Sequence, residues 1–169
     1  MLFPKLWPAI EASAVGQFVA SSSWAFPTLE SIHVMAIVTV VGTIAVMDLR
    51  LLGLASKDSP VTTISNDTLP WTWGAFVLAG ITGSLIFVSK ATNYVVNPFF
   101  LWKLVMIVVA GLNMAVFHLF TWRSVHKWNS DTDIPLGGKI AGGLSLVFWV
   151  VVMFLGRAIG FTLDKYFTG

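Results

Sequence analysis

Residues 30–53 read ESIHVMAIVTVVGTIAVMDLRLLG, a long run of mostly apolar or small residues. A helix needs roughly 20 mostly apolar residues, at about 1.5 Å each, to cross a bilayer, so the stretch predicts a membrane-spanning helix. One histidine stands near its start and an Asp-Leu-Arg triplet stands near its end. Polar side chains are costly inside a membrane, so His33, Asp48 and Arg50 are candidate functional residues.

The composition of the whole chain points the same way. The chain has 169 residues, of which 56% are hydrophobic and only 11% are charged, whereas soluble domains carry about 25% charged residues. Its net charge of +2 is small and scattered, which excludes a basic stripe for nucleic acid. It contains no cysteine, which excludes thiolate metal sites, iron–sulfur clusters and disulfides. We therefore expect one membrane domain whose first partner is the lipid bilayer.

Four apolar segments are long enough to span a membrane, at residues about 28–55, 71–90, 98–121 and 138–163. Short loops join them, so the sequence predicts an all-α integral membrane protein, a four-helix bundle that runs up-down-up-down. Residues 1–26 are weakly amphipathic and carry two tryptophans, which predicts a helix lying in the membrane interface. We therefore expect an interfacial amphipathic segment, 1–26, and a transmembrane domain, 27–169. Residues 56–69 read as a polar loop, with Pro70 in the first turn of the second span, where proline fits well.

In such a bundle both chain ends lie on one face of the membrane, here called side A, and the two polar loops lie on the other, side B. Cytoplasmic loops carry an excess of lysine and arginine. Side B has four such residues near the span ends and side A has three, so we expect side B in the cytoplasm and the termini in the periplasm of a bacterial inner membrane. The residues counted are Lys57, Arg123, Lys127 and Lys139 on side B, and Lys5, Lys90 and Lys165 on side A.

In an antiparallel bundle, the position of each polar residue along its helix gives its depth in the membrane. His33, Lys103 and Arg157 come from three different spans and fall together near side A, whereas Asp48 and His118 fall near side B. Steps of three and four residues lead from His33 to Asp48 and from Lys103 to His118, so the two side chains on each helix share a broad face. Ionisable groups in lipid should turn toward the bundle interior, where Asp48 would meet a partner on another helix.

Simpler interpretations stay open for each of these residues. His33 would also serve as a hydrogen-bonding group at the end of its helix, and His118 lies near the headgroups, where a polar group costs less. Lys103 and Arg157 have stems long enough to reach the water on side A, and Arg50 has one long enough to reach side B. On this interpretation none of the residues binds a ligand.

The cluster near side A predicts a haem site. Four-helix bundles build cofactor sites from side chains on facing helices, and imidazole is a usual ligand of haem iron. We expect His33 to be the axial ligand of a haem b, with Lys103, Arg157 or the loop cation Lys90 pairing with its propionates. His33 and His118 lie about 20 Å apart by helical rise, so His118 would ligate a second haem, with Met47 as a conceivable partner. The sequence therefore predicts one haem b, or two.

The second axial position at the His33 haem stays open in the sequence. The iron would be five-coordinate, or it would take Met106, Met153, Lys103 or a residue of another subunit. We therefore expect either a homo-oligomer or a redox partner subunit beside the chain in the membrane.

Four motifs of the chain resemble those of an uncharacterised bacterial family of small four-helix membrane proteins. The resemblance runs along most of the chain, and it implies the same fold but no particular function. The motifs are Trp24-x-Phe26-Pro27-x-x-Glu30-x-x-His33, Gly42 with Asp48-Leu-Arg-Leu-Leu-Gly53, Asn113-x-x-x-Phe117-His118, and Gly156-Arg157.

A more distant resemblance concerns the first and third spans. The first, with His33 near its start and Gly42 further on, is similar to that of HemJ-type protoporphyrinogen oxidases and CopD-type copper-resistance membrane proteins. The third, from Lys103 to His118, resembles the HemJ type, which has a lysine near the start of this helix and a histidine near its end. In the HemJ type the first-span histidine is associated with b-type haem and the lysine with activity, which implies that His33 is a haem ligand beside Lys103. The Asp48-Leu-Arg segment departs from the HemJ pattern.

These observations lead to one principal hypothesis and several alternatives. We expect a membrane-embedded b-type haem protein for electron transfer or redox sensing, either alone or as a subunit of a larger oxidoreductase. The alternatives are a cofactor-free accessory subunit, a HemJ-like porphyrinogen oxidase and a copper-related transporter. The copper alternative is the weaker one, because one histidine per layer with scattered methionines makes a poor copper site.

Overall fold

The computed structural model describes residues 5–130 and 133–166, and every regular element within these two ranges is helical. The remaining residues of the predicted interfacial segment, 1–4, and of the predicted transmembrane domain, 131–132 and 167–169, lie outside the described residues. The helices are α1 (Leu6–Glu11), α2 (Ala14–Ser21), α3 (Ala25–Leu51), α4 (Val61–Ser89), α5 (Ala91–Val96), α6 (Pro98–Val116) and α7 (Leu136–Thr162). A π-helical turn, Phe117–Thr121, and a 3₁₀ helix, Trp122–Lys127, continue α6 toward side B.

Four of these helices are long and apolar enough to cross a membrane: α3, α4, α7, and α6 with its continuation. Each is 27 to 30 residues long, with a mean hydropathy of 1.6 to 2.1 over its most apolar stretch. The most extensive backbone packing is between α3 and α4, then between α6 and α7, and then between α3 and α7. The all-α four-helix membrane bundle predicted from the sequence is therefore confirmed. The fourth seam, between α4 and α6, has no comparable backbone packing in the described residues.

The outward faces of the spanning helices are apolar. Met35 on α3 and Val108 on α6 are each 61% exposed, and Phe154 on α7 is 68% exposed. Apolar surface of this extent on several helices is typical of a protein whose solvent is lipid. The surface therefore agrees with the membrane placement predicted from composition.

The second span begins earlier than predicted. Helix α4 starts at Val61, after Pro60, so the predicted polar loop at residues 56–69 is mostly helical and Pro70 lies inside the helix. The physical reason lies at the start of α4, where Asn129 satisfies two backbone N–H groups that the helix itself leaves without partners. Val61 N donates to the Asn129 carbonyl at 2.9 Å, and Thr62 N donates to Asn129 Oδ1 at 2.8 Å.

Residues 6–21 form two short helices, α1 and α2, where the sequence predicted one. The chain bends before α2, where Ser13 Oγ accepts a hydrogen bond from Gly16 N at 3.2 Å. Gly16 packs closely on α4, because a Cβ at this position would lie 3.0 Å from the Val88 carbonyl oxygen. Glu11 Oε1 accepts from Thr92 N at 2.7 Å. The N-terminal segment is therefore fastened to the side A ends of α4 and α5.

Candidate functional site

His33 is held against α4 by its Nδ1 atom. Nδ1 lies 2.9 Å from Thr82 Oγ1, and the Thr82 hydroxyl donates its single proton to the Leu78 carbonyl at 2.7 Å. Thr82 Oγ1 therefore accepts, and His33 Nδ1 carries the hydrogen. The backbone of Ala79 is a further hydrogen-bonding partner of the ring. In the neutral ring the lone pair is then on Nε2, which is the arrangement of a histidine prepared to bind a metal.

Gly83 makes room for the imidazole of His33. A Cβ built on Gly83 would lie 2.8 Å from His33 Cε1 and 3.4 Å from Nδ1. Real Cβ atoms do not approach other atoms so closely, so only glycine allows the Cε1 edge of the ring to lie this close to the backbone of α4. Thr82 and Gly83 together fix where the half-buried ring lies and which nitrogen is protonated.

Lys103 lies on α6, close enough to His33 for the two side chains to interact electrostatically. Its Nζ atom would be 3.5 Å from a Cβ at Gly156 of α7, so the ammonium group packs on the backbone of α7 at that glycine. The Lys103 side chain is half-buried. The structure therefore brings His33 and Lys103 together from two helices that are not neighbours in the sequence, as their depths in the bundle indicated.

Arg157 does not join this pair. Its side chain is exposed, and its guanidinium carbon lies 4.3 Å from the centroid of the Phe161 ring on the same helix. A guanidinium over an aromatic face is stabilised by cation–π attraction. The structure thus places two of the three predicted side A residues at one site and the third at the bundle surface, at a similar depth.

Aromatic side chains close the seam between α4 and α6 at its side A end. Phe87 stacks on Phe100, with ring centroids 5.6 Å apart and planes at 13°, and Tyr94 lies 5.2 Å from Phe100. Burial, with smaller contributions from the Glu30 and Asp164 carboxylates, raises the pKa of Tyr94 to about 12. The phenol is therefore neutral throughout the physiological pH range.

His118 lies in the π-helical turn near side B, a type of turn that often occurs at functional sites. Its Nδ1 donates to the Met114 carbonyl oxygen at 2.9 Å, so Nε2 again has the lone pair of the neutral ring. The ring packs against Phe117 and Trp122, with centroids 5.3 and 5.6 Å away. His118 belongs to the side B layer and is separate from the His33–Lys103 pair, as the helical rise indicated.

Asp48 is buried near His118, and its partner is on another helix as the sequence predicted. The side chain is 5% exposed and is hydrogen-bonded to Ser145 of α7. Arg50 differs from expectation, because its side chain is fully buried and does not extend into the water on side B. Its Nε donates to the Ser59 carbonyl at 3.0 Å, so the loop between α3 and α4 lies over the guanidinium group and accepts a hydrogen bond from it.

A cavity of about 180 Å³ lies between the four spanning helices in the side B half of the bundle. Asp48, Asn113 and His118 contribute to its wall, together with many apolar side chains. His33 and Lys103 lie beyond its apolar end. The polar residues singled out in the sequence therefore lie in two separate places, with His33 and Lys103 within electrostatic range of each other near side A and Asp48, Asn113 and His118 at a cavity nearer side B.

Three residues with structural roles were not identified from the sequence. Thr82 orients His33, Ser145 binds Asp48, and Asn129 caps α4. Serine and threonine are ordinary residues of membrane helices, so only the pairing of helices reveals their role. In the part of the chain that the structure describes, no group of three or more His, Cys, Asp and Glu side chains is placed to hold a metal ion.

The chain was compared with protein families, curated proteins and solved structures. A family model, described as a family of unknown function, matches residues 9–162. No curated protein and no solved structure matches the chain. The resemblance to HemJ-type and CopD-type proteins accordingly stays a prediction from the sequence.

Proposed function

The chain belongs to DUF6644, a family of unknown function, and we propose that it is a membrane-embedded b-type haem protein that transfers electrons or senses redox state. The observation that carries the proposal is the state of His33. Its Nδ1 is committed to Thr82, its Nε2 is left with the lone pair, and the cation of Lys103 is beside it.

The donor set suits haem better than a metal ion held by side chains alone. A porphyrin supplies four nitrogen ligands itself, so the protein needs to contribute only one or two axial ligands. His33 supplies one such ligand, and a carboxylate or hydroxyl partner at its other nitrogen typically raises the basicity of a metal-bound imidazole. Bound haem would supply one-electron chemistry at its iron.

Lys103 supports the same assignment through charge. A haem carries two propionates, and an anion inside a low-dielectric membrane requires a nearby cation. Gly156 lets the ammonium group of Lys103 lie close to α7 instead of extending into the lipid. Arg157 would reach a propionate only by leaving the Phe161 ring, so the proposal rests on Lys103 first and on Arg157 second.

His118 is the candidate ligand for a second haem. Its Nε2 has the lone pair, and its ring is half-buried at the wall of the cavity. The cavity of about 180 Å³ is much smaller than a porphyrin, and His33 does not line it, so a haem at either histidine would require the surrounding helices to separate. We propose one haem, at His33, because the Lys103 side chain lies within electrostatic range of that histidine.

A cofactor-free accessory subunit is the second candidate, and a specific observation favours it. Several polar groups within the bundle already have a hydrogen-bonding partner in the chain, as Asn113 has in the Ala141 carbonyl at 2.9 Å and Asp48 has in Ser145. Polar groups paired in this way hold helices together in membranes. On this alternative His33 is a structural residue that joins α3 to α4.

Visible spectroscopy of the protein purified in detergent separates the two candidates. Spectra are recorded oxidised and after dithionite, and haem is quantified as the pyridine haemochrome. The haem proposal predicts a Soret band, a sharp reduced α-band and about one haem b per chain. A colourless protein, expressed with haem supplied in excess, would contradict it and favour the accessory subunit. Copper bound in proportion to protein, without a Soret band, would instead favour the copper-related alternative.

A further inference from the structure

The cavity near side B is a groove that opens sideways between α4 and α6. Its floor is buried and comes from α3 and α7, with Asp48 and Ala141 among the floor residues. Its exposed rim comes from the other two helices, with Leu69, Trp73 and Phe76 on α4, and Gly111 and Met114 on α6. This is the seam at which the backbones do not pack closely. In a membrane the groove therefore opens toward lipid.

The floor of the groove holds a carboxyl oxygen without a hydrogen-bonding partner. Asp48 is 5% exposed, and its Oδ2 makes no hydrogen bond in the described part of the chain, although the residue is hydrogen-bonded to Ser145. A buried polar atom without a partner costs free energy, so such atoms call for an explanation. Rotation about the Asp48 Cβ–Cγ bond is soft, so a ligand in the groove can engage either oxygen.

The two ends of the groove differ in polarity. Asp48, Asn113 and His118 lie at the end toward side B, whereas Phe76 and Trp149 lie at the end toward the middle of the membrane. Asn113 Nδ2 donates a hydrogen bond to the Ala141 carbonyl, and His118 Nδ1 donates one to the Met114 carbonyl. The Asn113 Oδ1 and the His118 Nε2 therefore add acceptors to the polar end. The groove thus matches a molecule with one polar end and one flat apolar end.

The volume of the groove limits the size of that molecule. A buried apolar cavity of about 150 Å³ in another protein accommodates benzene, and this groove measures about 180 Å³. Aromatic side chains along its apolar part, Trp73, Phe76 and Trp149, favour a planar ring. A hydroxyl group both donates and accepts hydrogen bonds, so it satisfies a carboxyl group in either protonation state.

We propose that this groove binds a lipid-soluble hydroxylated aromatic ring, of the phenol or quinol class, with its hydroxyl on Asp48 and its ring between the aromatic side chains. The ligand enters from the membrane through the gap between α4 and α6. The site is separate from His33 and Lys103, and the proposal does not depend on haem. It concerns binding alone.

The test compares two probes of nearly the same shape, 2-naphthol and 2-methoxynaphthalene, with the full chain in lipid nanodiscs. Binding is measured by equilibrium dialysis and corrected with empty nanodiscs, because both probes partition into lipid. The proposal predicts saturable binding of 2-naphthol, and binding of the methyl ether weaker by roughly 10- to 100-fold, because the ether has no hydrogen to donate. Equal binding of both probes, or no saturable binding of 2-naphthol, would overturn it.

Three variants locate the binding. Asp48→Val should weaken 2-naphthol binding by roughly 10- to 100-fold, whereas Asp67→Asn, at an exposed position of α4 outside the groove, should leave it unchanged. Gly111→Phe tests the site with Asp48 intact. A Cβ at Gly111 meets no other atom within 4 Å, and Gly111 lines the groove, so the added ring should occupy the space of the ligand. It should abolish saturable binding while the protein stays folded. Unchanged binding in a folded Gly111→Phe variant would place the probe elsewhere and contradict the proposal.

Discussion

At the scale of single residues, the site near side A depends on what surrounds His33. Thr82 accepts the hydrogen bond from Nδ1, and Gly83 allows the ring to lie against α4. The meeting of His33 and Lys103 could be predicted, because antiparallel spans place residues of equal depth side by side. Thr82 could not be predicted, because the rotation of each helix about its axis is poorly encoded when lipid covers the outer face and apolar residues surround the helix.

The role of Thr82 is tested by Thr82→Val, which keeps the shape of the side chain and removes the hydroxyl. Loss of the group that hydrogen-bonds the other nitrogen of a metal-bound imidazole typically lowers metal affinity by about 10- to 100-fold, so we expect haem to dissociate correspondingly more readily. The measurement is the rate of haem transfer to an excess of a haem-free protein that binds haem tightly. Thr39→Val on the exposed face of α3 is the control, since its hydroxyl bonds only to its own helix, at Met35 O. Equal haem retention in both variants would show that Thr82 does not contribute to haem binding.

The role of Gly83 is tested by a pair of glycine-to-alanine changes on α4. In Gly83→Ala the new methyl group collides with the His33 ring, and overpacking of this kind costs about 1–3 kcal/mol. Gly80→Ala, one turn away, meets no atom within 4 Å and should be neutral or gain about 0.5–1 kcal/mol from helix propensity. Thermal unfolding in detergent should show a lower midpoint for the first variant and no decrease for the second. Equal midpoints would mean that His33 does not pack on Gly83.

At the scale of helices, the sequence predicted the number and order of the spans well and their ends less well. Long apolar runs mark a span directly, whereas the start of α4 depends on Asn129, which is distant along the chain. Two small-residue motifs of α7, Gly138-x-x-x-Gly142 near its start and Gly156-x-x-x-Gly160 near its end, have the spacing that allows close helix packing, and they show the same limit. A Cβ at Gly142 would lie 3.0 Å from the Asp48 carbonyl oxygen, so α3 packs there, whereas a Cβ at Gly160 would meet nothing. The two motifs look alike in the sequence, but the backbone of another span approaches closely at Gly142 of the first motif and at neither glycine of the second.

The cap on α4 can be tested by Asn129→Ala. The change removes the side-chain acceptor for Thr62 N and the donor to Thr62 Oγ1, at 2.8 and 2.9 Å. Loss of a cap costs about 0.5–2 kcal/mol, so the thermal midpoint should fall, and amide hydrogens in the first turn of α4 should exchange faster. Asn66→Ala, at an exposed position of the same helix, should change neither. Unchanged exchange at Thr62 in Asn129→Ala would show that the loop does not hold the start of α4.

At the scale of the whole molecule, the four spans leave one seam partly open. Helices α3 and α7 form the centre of the packing, while α4 and α6 diverge where the groove lies and meet again at the Phe87–Phe100 stack. Composition alone predicts that such a bundle lies in lipid. It does not predict the groove, because a gap between helices arises from side-chain volumes on both sides and from the rotation of each helix.

The orientation predicted from the charge bias is tested by cysteine labelling. The chain has no cysteine of its own, so Lys57→Cys and Lys165→Cys each introduce a single thiol at an exposed position. In intact bacterial cells an impermeant maleimide should label Lys165→Cys, on side A, and should label Lys57→Cys only after the membrane is disrupted. The reverse pattern would place the termini in the cytoplasm and show that a difference of one basic residue between the two sides does not determine the orientation.

The assignment of His33 as the haem ligand is tested by the haem content of a His33→Ala variant. His126→Ala serves as the control, because His126 is exposed in the 3₁₀ helix after α6, and His118→Ala examines the other histidine of the bundle. The account predicts that folded, monodisperse His33→Ala loses the Soret band, while His126→Ala and His118→Ala keep about one haem per chain. A His33→Ala protein with the same haem content as wild type would contradict the assignment of His33 as the axial ligand.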